Sequence, residues 1–268
     1  MPSTTTGNNP NGWMENCSRA GRAFYAIGII LLGIQQFIYA DFRPVFLPEW
    51  PLWLHNPVWA YLAGTGLVVA GVIILFSRKA TTTPIVLGGM FLFFFLAFHV
   101  PYQFFISQNS FHWGLWTNAL KELAFAGGAF VIASSLIDDP LYAGNKTALF
   151  LLGRVFFSIT MIVFGYCHFL YTDFVVKLVP SWIPGSVFWT YFAGVALIGS
   201  GIAIIFKIML KQVALLLGIM IFLWFILLHI PRAIADPHMD KGNEVTSVFQ
   251  ALAFSGIAFV IAEMGKKK

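Results

Sequence analysis

Charge is what this 268-residue chain has least of: Asp, Glu, Lys and Arg make up 10 % of it, against about 25 % in soluble domains. So few ionic side chains cannot cover a water-facing body, which excludes a soluble enzyme and a disordered chain. Cysteine is almost missing. Cys17 and Cys167 are the 2 present, too few for a disulfide-rich secreted module. They are expected on opposite faces of a membrane, and without a C-x-x-C the chain has no dithiol relay of its own. The sequence also lacks a G-x-G-x-x-G following a strand, a zinc-ligand pattern, a catalytic-triad signature and a phosphate loop. No soluble catalytic class is signalled.

What the chain does have is apolar length. Hydrophobic residues reach 59 %, with 29 Phe and 9 Trp. A helix needs about 20 apolar residues to cross a bilayer. Eight runs qualify, at residues 23–40, 58–76, 84–106, 118–136, 153–172, 187–206, 213–231 and 247–263. The expectation is an all-α integral membrane protein. An even number of spans puts both termini on one side, and 11 of the 16 basic residues fall there: Arg19, Arg22, Arg78, Lys79, Lys146, Arg154, Lys207, Lys211, Lys266, Lys267 and Lys268. The excess of basic residues places the termini in the cytoplasm, as for a protein of the bacterial cytoplasmic membrane. The formal charge of +5 then serves topology and contact with membrane lipid, and a nucleic-acid partner is not expected. Residues 1–20 are polar and the first apolar run reaches spanning length, so no cleavable signal peptide is expected.

The chain repeats itself. GRAFYAIGIILLGIQQFIYADF (21–42) and GRVFFSITMIVFGYCHFLYTDF (153–174) agree at 10 of 22 positions. At an offset of 130, Trp59, Tyr61, Ala63, Gly64, Gly71, Phe76, His99 and Pro101 recur as Trp189, Tyr191, Ala193, Gly194, Gly201, Phe206, His229 and Pro231. At an offset of 129, LAFAGGAFVIA (123–133) and LAFSGIAFVIA (252–262) agree at 9 of 11. A duplication of four spans accounts for this. Because four spans return the chain to its starting side, the two copies share one orientation, unlike inverted-repeat transporters. The expected organisation is a polar cytoplasmic N-terminus (1–20), a first four-helix repeat (21–137), a linker (138–152), a second repeat (153–264) and a basic tail (265–268). Gly64, Gly66, Gly71, Gly194, Gly199 and Gly201 are expected to let helix backbones approach closely.

The opening Gly-Arg of each repeat, the aromatic first span, the Pro48-Glu49-Trp50 and Pro180-Ser181-Trp182 loops, the Trp-x-Tyr-x-Ala-Gly start of the second span and the Leu-Ala-Phe-x-Gly fourth span resemble the DoxX-like family of four-span membrane proteins. The resemblance covers nearly the whole chain, twice. It implies association with redox enzymes, as in a thiosulfate:quinone oxidoreductase subunit, or a role in assembly. The chain departs from the family where many relatives carry a carboxylate in the second span. Here the stretches read Leu67-Val68-Val69-Ala70 and Leu197-Ile198-Gly199-Ser200, so a role tied to that acid does not carry over.

Polar groups at membrane depth are costly and commonly functional. They gather at the helix ends remote from the termini: Gln35, Gln36 and Tyr39; Cys167, His168 and Tyr171; His99 and His229, each two residues before a proline; and Lys121, Glu122 and Gln250. His99, His168, His229, Gln36, Tyr39, Tyr171 and Glu122 form the candidate cofactor-binding set. A plainer reading stands beside each. His99 and His229 could bond a carbonyl of a neighbouring helix, since proline frees one within its own helix, Lys121 and Glu122 could pair or face the outer water, and the Trp residues form an interfacial belt. His168 stands where the first copy has Gln36, an asymmetry that a new role or an idle copy would equally produce.

Three readings of function follow. Donors such as His, Gln and Tyr in an aromatic-walled outer pocket suit a quinone headgroup, with electrons from a protein partner. His99 and His229 across the repeat axis could ligate a haem. With no catalytic motif, a non-enzymatic scaffold or assembly factor fits as well. Transport of a small molecule is a fourth reading, without acid pairs for proton coupling, and whether the protein is an enzyme stays open.

Overall fold

The computed structural model describes residues 12–77, 80–239 and 241–265. Among them it is all-helical, with no strand. In chain order the helices are α1 (Gly12–Tyr39), α2 (Pro57–Phe76), α3 (Thr82–Ile106), α4 (Thr117–Ser135), α5 (Ala143–Leu170), α6 (Thr172–Leu178), α7 (Ser186–Phe206), α8 (Leu210–Ala235) and α9 (Asn243–Met264). Seven of them, all but α4 and α6, are long and apolar enough to cross a membrane. They carry many exposed Phe, Leu, Ile and Val side chains, which lipid covers in a membrane-spanning bundle.

The helix α4 falls short of that measure because Asn118, Lys121 and Glu122 occupy its first turns. It is nonetheless buried along almost its whole length, from Ala119 to Ser134. A helix that is enclosed by others does not need an apolar face toward lipid. Around it, α3 and α5 pack on α4, α5 on α7, α8 and α1 on α9, and α1 on α2.

Glycines set the closest approaches. A Cβ on Gly21 would strike the carbonyl oxygen of Gly256, and one on Gly256 would strike that of Gly21, so α1 and α9 touch backbone to backbone. Gly127 and Gly153 do the same for α4 and α5. Gly33 meets Gly64 and Gly165 meets Gly194; Gly71 meets Ile30 and Gly201 meets Ile162. Each contact has a mate at the sequence offsets noted above: the Gly21–Gly256 and Gly127–Gly153 contacts join the two halves, and the others recur within each. Two of the six glycines expected at such contacts are not there. Gly66 and Gly199 have nothing within 4 Å of an added Cβ; they lie on the outward face of their helices, where small size serves no packing.

Helix limits also differ from expectation. Residues 12–20 belong to α1 instead of a polar leader, and residues 143–152 of the expected linker form the first turns of α5. There Asp139 accepts a hydrogen bond from the Leu141 amide ahead of Pro140, and Phe150 is buried. The short α6 lies where a loop was expected.

Both α3 and α8 loosen into π-turns before their prolines, at Phe95–His99 and Phe225–His229. A proline inside a helix removes one backbone donor and crowds the carbonyl four residues earlier, and a widened turn absorbs the misfit. His99 and His229 end these turns.

Candidate functional site

After α1 the chain does not run over the surface. The segment Phe42–Leu47 turns into the bundle, burying Phe42, Arg43, Val45, Phe46 and Leu47. The turn is closed by the Phe46 and Leu47 amides donating to the Arg43 carbonyl. Phe46 stacks on Phe91 at 5.6 Å and 7°, with Phe125 at 6.2 Å from it. A clip holds the segment from behind. One ring nitrogen of His55 is 2.9 Å from Asp41 Oδ1, and the other is 2.8 Å from the Pro48 carbonyl.

Four of the seven candidate residues meet at this segment. Gln36 is wholly buried and its Oε1 accepts a hydrogen bond from the Arg43 amide at 3.0 Å. The Arg43 guanidinium lies over the Tyr39 ring, 4.4 Å from its centre. Tyr39 in turn fills the space beside Gly242, whose φ of +76° and lack of a Cβ admit the hydroxyl. His99, 1 % exposed, donates from Nε2 to the Val45 carbonyl at 3.2 Å, and the same nitrogen is 3.0 Å from Oε2 of Glu122, which is 0 % exposed.

The carbonyl that His99 reaches therefore belongs to the infolded loop and not to a neighbouring helix. Of the two plainer readings of Glu122, pairing or facing the outer water, the structure has it enclosed beside His99. On α4 a one-residue step turns the side chain by about 100°, so Lys121 is half-buried while Glu122 points inward. Neither carboxylate oxygen accepts an aligned hydrogen bond, and the Nε2 atoms of Gln35 and Gln36 are buried without a partner. Buried polar groups are normally satisfied. Several orphan atoms at one end of the bundle mark a place where a polar ligand or proton traffic would find partners.

The other three candidates do not join this cluster. His168 donates from Nδ1 to the Phe164 carbonyl of its own helix at 2.8 Å and stacks on Trp224. Tyr171 accepts from the Gly114 amide at 3.3 Å and stacks on His112 at 4.9 Å. His229 is half-buried with Nδ1 unpartnered. At the position matching Glu122 the second half has Ala251, so His229 has no carboxylate to meet. A different ion pair serves that half, Arg232 with Glu244 at the start of α9.

Sequence reasoning passed over Arg43, Val45, His55 and the Arg232–Glu244 pair. The available signal was the point where the copies stop agreeing. Asp41-Phe42 equals Asp173-Phe174, but Arg43, Val45 and His55 face Val175, Lys177 and Gly185 at the offsets of the flanking spans. Among the described residues no three of His, Cys, Asp and Glu stand together as a metal ion needs. Comparison with known protein families, characterised proteins and solved structures finds no match to the chain.

Proposed function

We propose that this chain is an eight-span protein of two equally oriented four-helix repeats with cytoplasmic termini. We read it as a membrane subunit of a quinone-linked oxidoreductase system. The enclosed α4 supplies the eighth span, and the glycine contacts that recur at matching offsets support the repeat. In this reading the polar cluster lies toward the outer face.

The observation that carries the quinone reading is the buried His99–Glu122 pair beside unpartnered amide groups. Reducing a quinone to a quinol takes two electrons and two protons. Glu122, with His99 beside it, can pass one proton to one carbonyl oxygen, the other carbonyl oxygen takes the second proton from the aqueous side, and Gln36 Nε2 can donate a hydrogen bond to the headgroup. Phe46, Phe91 and Phe125 give a flat apolar wall. The chain has no flavin or nicotinamide fingerprint, so the electrons come from a partner protein. The geometry fits a haem less well, because His99 Nε2 already faces the Val45 carbonyl and Glu122.

The test is quinone content and binding in protein extracted with mild detergent. Bound quinone near one per chain is expected, and His99→Ala or Glu122→Ala should weaken binding of a short-chain quinone about tenfold, which corresponds to one strong hydrogen bond lost. Quinone-free protein whose variants bind the analogue as the parent does would overturn the reading. A scaffold role is favoured by a separate observation: Phe105, Phe111 and Phe174 are strongly exposed at this same end, a surface a partner could cover. Crosslinking in the native membrane that captures no partner there would count against it.

A further inference from the structure

A cavity of about 730 Å³ opens at the other end of the bundle, between the start of α3, the α4–α5 connection and the start of α5. Its walls are apolar, with Ile85, Leu149 and Leu152 prominent, and its rim carries Asp138, Asp139 and Asn145. The counterpart to this space lies between the starts of α1 and α8 and the end of α9. The helices α1 and α5 are both 28 residues long, and at the offset of 132 that aligns them Trp13 answers Asn145 and Met14 answers Lys146.

In the counterpart Met14 is fully buried, Trp13 lies under the Lys211 ammonium at 5.3 Å, and an added Cβ on Gly265 would meet Leu210 and the Lys211 amide at 3.0–3.1 Å. In the open copy Asn145 is too small to replace the indole. Lys146 sets its ammonium on the carbonyl of Ile137, a residue of the cavity wall, at 2.7 Å. The cavity thus opens where the other copy sets a buried Met14 and the half-exposed indole of Trp13.

We propose that this cavity binds one phospholipid with an amine headgroup. Its ammonium would meet Asp138 and Asp139, and one acyl chain would lie along Ile85, Leu149 and Leu152. The choice of occupant rests on charge. This end of the chain is otherwise basic, with Arg19, Lys207 and Lys211 near the helix ends, so an anionic headgroup would be drawn there generally. The cavity mouth instead presents two exposed carboxylates. The volume lies within the usual range for a built small-molecule site of about 300–1,000 Å³. It holds a headgroup with part of a chain, the rest continuing into bilayer. The inference rests on the repeat correspondence proposed above and is independent of quinone.

The experiment is native mass spectrometry of the full chain released from bilayers with equal phosphatidylethanolamine and phosphatidylglycerol. One retained phosphatidylethanolamine per chain is expected. Asp138→Asn with Asp139→Asn should cut that preference about fivefold per carboxylate, the scale of one charge near a membrane surface. Asn145→Trp, which puts an indole at the cavity rim where α1 carries Trp13, should abolish retention while leaving quinone content unchanged. Retention of phosphatidylglycerol or detergent alone overturns the proposal. So does equal retention of phosphatidylethanolamine by Asn145→Trp or by the Asn double variant, whose exposed positions keep the fold intact. Loss of quinone alone would count against the quinone reading and leave this one standing.

Discussion

The same four-residue pattern, Tyr-x-Asp-Phe, closes α1 and α5, and the chain then does opposite things. After Asp41-Phe42 it folds inward, with Phe46 only 2 % exposed against Phe91 and Phe125; after Asp173-Phe174 it continues as α6, with Phe174 64 % exposed. The helices beneath explain part of the difference. Where Phe46 finds the ring of Phe91, the second copy has Ile221, and where Val45 offers its carbonyl to His99, the second copy has Lys177. A lysine cannot enter a bilayer-depth core cheaply. The clip explains the rest, since Asp41 holds His55 and the matching Asp173 would find Gly185. The comparison teaches that the glycine frame and the loop are separable. The backbone contacts recur in both halves, while the buried polar pair belongs to one.

Truncating the two loops should part the halves most sharply. Phe46→Ala removes a ring packed against two others and should cost about 3–5 kcal/mol, whereas Phe174→Ala should stay within about 0.5 kcal/mol. Thermal unfolding in detergent compares them, and equal losses would mean the infolded segment contributes little. Next in size is the histidine pair. His99→Ala leaves the Val45 carbonyl unpartnered and Glu122 alone in the interior, about 3 kcal/mol by the usual penalties for stranded buried groups. His229→Ala strands no carboxylate and should cost under about 1 kcal/mol. If both variants lose the same stability, the ionic partner is not what distinguishes the halves. A smaller effect belongs to the clip. Asp41→Ala frees one nitrogen of His55 and should cost about 1 kcal/mol. It should appear chiefly as faster hydrogen exchange across residues 42–56, with Asp173→Ala leaving its own loop unchanged.

The sequence carried the frame of this fold more legibly than the site. Apolar length and the two Gly-Arg openings locate α1 and α5 as helices, and the shared Gly33/Gly165 and Gly64/Gly194 mark real close contacts. The four residues gathered around Arg43 lie on α1, α3 and α4, and each was readable as a polar group near one end of the bundle. Their convergence was not readable, because it depends on Phe42–Leu47 entering the core. That segment looks like any short polar-bounded loop until His55, 14 residues from Asp41, is known to close it. Glu122 was legible as a candidate, but whether it paired or faced water was not, for a local reason. Its neighbour Lys121 suggested a charged, wetted turn, and only the rotation of α4 separates the half-buried residue from the enclosed one. His168 and His229 have the same side chain as His99, but their half has Ala251 where the first has Glu122, and no infolded carbonyl beside them.

The smallest expected effect tests where the halves agree. Gly66 on α2 and Gly199 on α7 do not match in the repeat, but both meet nothing within 4 Å, so Gly66→Ala and Gly199→Ala should each move stability by no more than about 0.5 kcal/mol, with the better helix propensity of alanine offsetting any loss. Gly64→Ala must instead press a methyl to 2.8 Å from the Gly33 carbonyl oxygen, and Gly194→Ala to 2.7 Å from the Phe169 ring and 3.1 Å from the Gly165 carbonyl oxygen. They should cost about 1–3 kcal/mol, the range for overpacking a filled contact, and similar amounts in both halves. Unfolding of the four variants side by side separates frame from site. A large loss at Gly64 with none at Gly194 would show that the asymmetry of the loops reaches into the helix frame, and that the two copies no longer share one scaffold.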